Sequence, residues 1–133
     1  MRDTPYLVDL LVSKGVSELV VASTGTVYSN SFLLPQEAVS KFSLEYQFDS
    51  PGAVDVKIQL EQGNSLPETE GSADDNFVVP SGLNDIVTQE TGEELNIIAF
   101  SPVPTRYARI KFTGAGSNNA LTKLTRLRVG IAR

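Results

Sequence analysis

Apolar and polar residues alternate without slippage along two neighbouring stretches of the chain. In residues 42–48, Phe42, Leu44, Tyr46 and Phe48 share one face while Ser43, Glu45 and Gln47 share the other. In residues 53–61, Val54, Val56, Ile58 and Leu60 oppose Asp55, Lys57, Gln59 and Glu61. A period of two is the repeat of a strand with one buried and one wet face. Between the runs, Asp49-Ser50-Pro51-Gly52 carries turn chemistry, Pro fixing φ and Gly accepting positive φ. The pattern predicts a β-hairpin whose register is firm, because a one-residue slip would expose every apolar side chain in it.

The same signal recurs at lower contrast. Tyr6–Val12, Glu18–Ser23, Thr26–Leu34, Asn76–Val79, Asp85–Thr88, Leu95–Ser101, Arg106–Thr113 and Leu121–Ile131 read as strands. Pro35, Pro80, Pro102 and Pro104 fall at the ends of these runs, where a missing N–H does least harm. No stretch keeps a 3.6-residue period over three turns; Pro35–Ser40 suits one short turn of helix. Short strands punctuated by Gly and Pro predict an all-β fold, an antiparallel sandwich of jelly-roll type with about eight strands. Residues 1–133 form one domain on this reading, with one long polar loop, Gln62–Asp75. The first sixteen residues are too apolar to stand in water. Tyr6, Leu7, Leu10 and Leu11 belong either to the domain's first strand or to an arm added to a neighbour's sheet.

Composition narrows the chemistry. The 133 residues contain no cysteine, which excludes disulfides and thiolate nucleophiles. They contain no histidine, which excludes Ser-His-Asp arrangements and the commonest transition-metal ligand. Gly114-Ala115-Gly116 begins like a dinucleotide fingerprint, but Asn119 occupies the third glycine position and no helix is expected there. No catalytic residues and no cofactor are expected. Tyr6–Val12 is apolar but short and carries Asp9 in its middle, so it does not make a signal peptide. No apolar run has the length of a membrane span, and synthesis in the cytoplasm is expected.

Charge is divided along the chain. The first 94 residues hold four basic residues against all sixteen acidic ones, a balance of −12. The remaining 39 hold seven basic residues and no acid, a balance of +7. Alternation turns Ala108, Ile110 and Phe112 inward, and so Tyr107, Arg109 and Lys111 outward. In the last strand it turns Arg126 and Arg128 outward. These residues, with Arg106, form a candidate interface with an acidic surface, such as a neighbouring copy's. Pairing with acids inside the same subunit is the competing reading. A net charge of −5 and the lone interleaved Tyr107 argue against nucleic acid. Glu68, Glu70, Asp74 and Asp75 around Gly71 offer hard oxygen ligands for calcium, without the spacing of an EF-hand; a solvated loop is the plainer account. The loop Gly114–Ala120 resembles those through which sandwich modules hold glycans, but the chain has no Trp to serve as a platform.

Three stretches together, TGTVYSNSFLL (24–34), KFSLEYQF with VDVKIQLEQG (41–63) and SPVPTRYARIKFTGAGSNNA (101–120), resemble small β-sandwich virion proteins of tailed phages. These are capsid decoration or cement proteins and related head or tail accessory proteins. The resemblance implies a non-enzymatic protein that self-associates and binds the major capsid shell or another virion protein. It implies no catalytic residues. A carbohydrate-binding or adhesion module is the alternative.

Overall fold

The computed structural model describes residues 6–35, 41–49, 55–90, 93–115 and 121–132. Along the chain these form β1 (Tyr6–Asp9), α1 (Leu10–Lys14), β2 (Leu19–Ala22), β3 (Thr26–Tyr28), β4 (Phe32–Leu33), β5 (Lys41–Asp49), β6 (Asp55–Gly63), β7 (Val87–Glu90), β8 (Asn96–Phe100), β9 (Tyr107–Ala115) and β10 (Leu121–Ala132). All pairings are antiparallel. Sheet A runs β1 and β2, then β10, β5 and β8; sheet B runs β3 and β4, then β9, β6 and β7. Because β1 and β2 share one side of β10, and β3 and β4 one side of β9, the ten strands fill eight ladder positions. The chain crosses between the sheets in the order that defines a jelly roll. The expected all-β sandwich is what the chain forms.

The first hairpin is a correction. β5 pairs β10 and β8, whereas β6 pairs β9 and β7, so the two strands lie in opposite sheets and do not pair with each other. Their connection, residues 50–54, lies outside the described residues, and Val54 with it. The inward faces were nonetheless assigned correctly. Leu44, Tyr46 and Phe48 meet Val56, Ile58 and Leu60 across the core, all at or near zero exposure. Period two fixes which face is buried and leaves open which strand lies alongside.

Other boundaries shift for local reasons. The run Tyr6–Val12 is not one strand, because Asp9 ends it and caps a helix. Its Oδ1 accepts from the N–H groups of Leu11 and Val12, both at 3.1 Å. Gly15, at φ 76°, closes the turn, and the N–H groups of Gly15 and Val16 return to the carbonyls of Val12 and Leu11. Leu10 and Leu11 thereby point into the core instead of along a strand. The run Thr26–Leu34 breaks into β3 and β4 around Ser29, whose Oγ accepts from Ile110 N–H. Asn76–Val79 is reduced to an isolated bridge between Val78 and Gln62, and the strand expected at Asp85 begins at Val87. In β10 the register shifts between Leu124 and Arg126. That bulge at Thr125 lets Leu124 and Leu127 both face inward though three residues apart. Of the short helix considered at Pro35–Ser40, residues 36–40 lie outside the described residues. Among the described residues, no helix is long and apolar enough to cross a membrane.

Candidate functional site

The two late basic strands belong to different sheets, β9 to sheet B and β10 to sheet A. Their outward residues therefore face opposite sides of the sandwich. No single basic face unites Arg106, Tyr107, Arg109 and Lys111 with Arg126 and Arg128.

On sheet B, Arg109 stands directly across the ladder from Glu61. Its side chain leaves the sheet on the outer side, as alternation requires, yet it is completely buried. The cause is the long polar loop. After Gly63 the chain turns back over the sheet, and Val78 exchanges backbone hydrogen bonds with Gln62, at 2.8 and 3.1 Å. Gly63 permits that return, since a Cβ there would lie 2.0 Å from the Asn76 carbonyl oxygen. Phe77 then seals the site. The Arg109 guanidinium carbon lies 4.0 Å from the Tyr28 ring centre and 4.8 Å from that of Phe77. Its Nε donates to Glu61 Oε1 at 2.8 Å and one terminal nitrogen to the Ser72 carbonyl at 2.6 Å. A cation removed from water is tolerated only when charge and hydrogen bonds are met inside, and here both are. The rings add cation–π attraction. Arg109 is thus a staple between sheet and loop and is not available to a partner.

Two of the four acidic residues considered for calcium, Glu70 and Asp74, hold the same loop. Glu70 accepts from Ser31 N–H at 2.6 Å and lies within hydrogen-bond distance of Ser31 Oγ. Asp74 accepts from the backbone N–H groups of Asn76 and Glu68, both at 2.8 Å. Those two bonds, that to Asn76 foremost, hold its carboxyl below the usual aspartate value. Glu68, Asp74 and Asp75 line an open cleft of about 510 Å³ together with Tyr28, Glu61 and Asn76. Glu61 there is committed to Arg109. Among the described residues no three acidic side chains converge where a metal could sit. Glu70 and Asp74 thus hold the loop's own backbone and Ser31. Lys14 reaches the loop from α1, donating to the Tyr28 carbonyl at 3.2 Å beside Gly71.

The outer face of sheet A is built differently. Asp9, Arg128 and Glu45 occupy one row across β1, β10 and β5, and Ile97 of β8 completes it. Arg128 contacts Asp9 at 3.5 Å and Glu45 at 3.3 Å, so it too has partners inside the subunit. Lys123 lies 3.7 Å from Glu18. Half-exposed pairs of this kind contribute on the order of 1 kcal/mol or less. The neighbouring row is Leu7, Gly130, Ser43 and Ala99. Leu7 and Ile97 are 59% and 64% exposed on this face. Arg126 is half-buried here; on sheet B, Arg106 is exposed while Tyr107 and Lys111 are half-buried. Among the described residues none of these four has an ion-pair partner. Of the N-terminal candidates, Leu7 remains outward and Leu10 and Leu11 are core; the side chain of Tyr6 lies outside the described part, as do residues 116–120 of the loop considered for glycans.

The residues that sequence reasoning missed are Tyr28, Glu61, Ser72 and Phe77, the cage of Arg109. A faint signal existed: Arg109 stands between Ala108 and Ile110 in the most apolar part of its strand.

No family model matches the chain, and no curated protein matches it. Among solved structures, it is similar to a chain in the structure of infectious bursal disease virus, Gx strain, at 11% identity and a TM-score of 0.46. The likeness covers 99% of this chain and 32% of that one, so this chain spans about a third of its neighbour's length. At that level it adds nothing to the topology traced above.

Proposed function

We propose that the chain is a non-enzymatic structural protein of a virus particle, of the capsid-decoration kind, which associates with copies of itself and with the shell. The observation that carries this reading is the contrast between the two outer faces. Loop 64–78 covers the Glu61–Arg109 end of sheet B and uses up Arg109. Among the described residues no element is laid across sheet A, which presents Leu7, Ile97 and Ala99 beside a row of paired charges. Exposed aliphatic groups flanked by charges suit a flat partner, the apolar part supplying attraction and the charges orientation. The jelly-roll strand order is shared with many capsid domains and also with lectins, so it supports the reading without selecting it. The phage-type phrases in the sequence favour the particle.

Cosedimentation with shells assembled without the chain is the test. The wild-type protein is expected to pellet with the shells, and Leu7→Glu with Ile97→Glu to leave it in the supernatant while the fold, followed by circular dichroism, is unchanged. Wild-type protein that stays in the supernatant would contradict the proposal.

A further inference from the structure

Residues 64–76 leave the sandwich and return to it at one point. At this neck Gln62 and Val78 exchange backbone hydrogen bonds, and Gly63 sits against the backbone of Asn76. Asn64 Oδ1 accepts from Arg106 N–H there, at 2.9 Å. Between its ends the segment is braced by its own groups. Asp74 ties Glu68 to Asn76, and Asn76 Nδ2 donates to the Leu66 carbonyl at 3.2 Å. A compact segment with adjoining ends and internal packing is an Ω-loop. Burial gives it little other hold. Of residues 64–76 only Pro67 is buried, and the aromatic plug, Phe77, packs at the neck against Gly63. Away from the neck the segment is fixed by Glu70 on Ser31, an exposed contact, and by the Ser72 carbonyl on Arg109. The open cleft of about 510 Å³ lies between segment and sheet, with Tyr28 and Glu61 on one wall and Ala73, Asp74 and Asp75 on the other. Few buried apolar contacts and exposed hydrogen bonds are the marks of a segment that opens well before the core does.

We propose that residues 64–76 are a hinged lid over Arg109, turning as one body about the neck at Gly63 and clasped shut by Glu70 on Ser31. The inference is independent of the virion reading. The strands beside the neck keep their pairing when the lid turns, because the Gln62–Val78 bridge lies on the body side of the hinge. The Asp74 brace lies wholly inside the lid and travels with it. What opening breaks is the clasp and the Ser72 contact, so it lifts Ser72 from the guanidinium and widens the cleft beside Tyr28. Arg109, buried when the lid is shut, then reaches solvent on the same side of β9 as Tyr107 and Lys111. The lid tip rests beside α1, since a Cβ at Gly71 would lie 2.6 Å from Lys14 Nζ. Lys14 gives its hydrogen bond to Tyr28 on the body and does not hold the lid.

Two readouts on the full chain separate a lid from local unfolding. Reaction of Arg109 with phenylglyoxal, followed on its peptide by mass spectrometry, reports opening. Amide hydrogen exchange at Glu68, Asn76 and Val78 reports whether brace and neck survive it. Glu70→Ala is expected to speed modification of Arg109 about two- to tenfold. Ser31→Ala should give a smaller rise, because the Ser31 N–H still donates to Glu70. Asp75→Ala, which removes a charge from the lid but no clasp contact, should leave the rate unchanged. Exchange at the three amides is expected to stay at the wild-type rate in all three variants. An Arg109 rate that ignores Glu70→Ala would overturn the clasp. Acceleration at Glu68 and Asn76 in step with Arg109 would overturn the rigid lid, since the segment would then be unravelling.

Discussion

Arg109 shows how a single side chain can hold a segment of irregular backbone in place. Removing it leaves Glu61 charged and buried without a partner, and Arg109→Ala is expected to cost about 3–5 kcal/mol in urea unfolding. Arg109→Lys restores the charge without the planar fork that serves Glu61 and Ser72 together, and most of the loss should persist. The double change Arg109→Met with Glu61→Leu should lose far less than Arg109→Ala. Equal loss in both would show that packing of the loop, not the buried charge, sets the cost. Asp74 gives the same loop a pH dependence. Its carboxyl binds a proton less readily in the folded protein than in the unfolded chain. The stability it contributes is present above the ordinary aspartate value of 3.8 and is lost as pH falls through the lowered folded value. Amide hydrogen exchange at Glu68 and Asn76 should accelerate in acid across that window, and Asp74→Asn should remove the step. Arg109 also marks where sequence reading stops. Alternation correctly sends it to the outer side of β9, but a period of two does not report that the loop after β6, whose Ser72 lies 37 residues earlier, will lie on top of it. Burial of an outward residue is a tertiary fact.

At the scale of elements, local chemistry decides the boundaries. Asp9→Ala is expected to cost about 1 kcal/mol through loss of the α1 cap. A cycle with Arg128→Ala separates capping from the ion pair, since only the second is coupled to Arg128. Two glycines differ in kind. At Gly15 an added Cβ meets nothing within 4 Å, so Gly15→Ala should cost only about 1 kcal/mol, from its left-handed backbone. At Gly63 the new methyl would meet the backbone of residue 76. Gly63→Ala should therefore destabilise more than Gly15→Ala and open loop 64–78 to protease. The cap at α1 was legible after the fact, as Asp9 and Gly15 bracket two leucines, but five residues are too few to show helical period. The break at Ser29 and the bulge at Thr125 depend on partners elsewhere and leave no mark on the alternation. β5 and β6 teach the same lesson about pairing. Their faces were readable because burial imprints on every second residue; their neighbours were not, because an arch between sheets and a hairpin within one share a pattern.

For the whole molecule, the charge asymmetry of the sequence dissolves into two separate arrangements. β9 gives its arginine to a covering loop on sheet B. β10 places Arg128 between Asp9 and Glu45 on sheet A. Two of the six residues expected to dock, Arg109 and Arg128, thus have acidic partners inside the subunit, which the sequence could not distinguish because an acid that pairs in the fold and one that faces solvent look alike. Among the described residues, Arg106 and Lys111 on sheet B and Arg126 on sheet A keep no ion-pair partner, and Leu7 and Ile97 stay exposed on the outer face of sheet A. The account's central claim is that this face seats the chain on a viral shell. A cryo-electron microscopic reconstruction of shells saturated with the protein tests it most directly. The account predicts ordered density for the sandwich with the β1-β10-β5-β8 face turned to the shell and Leu7 and Ile97 at the contact. Shells without added density, or the sandwich seated through loop 64–78 with sheet A facing solvent, would contradict it.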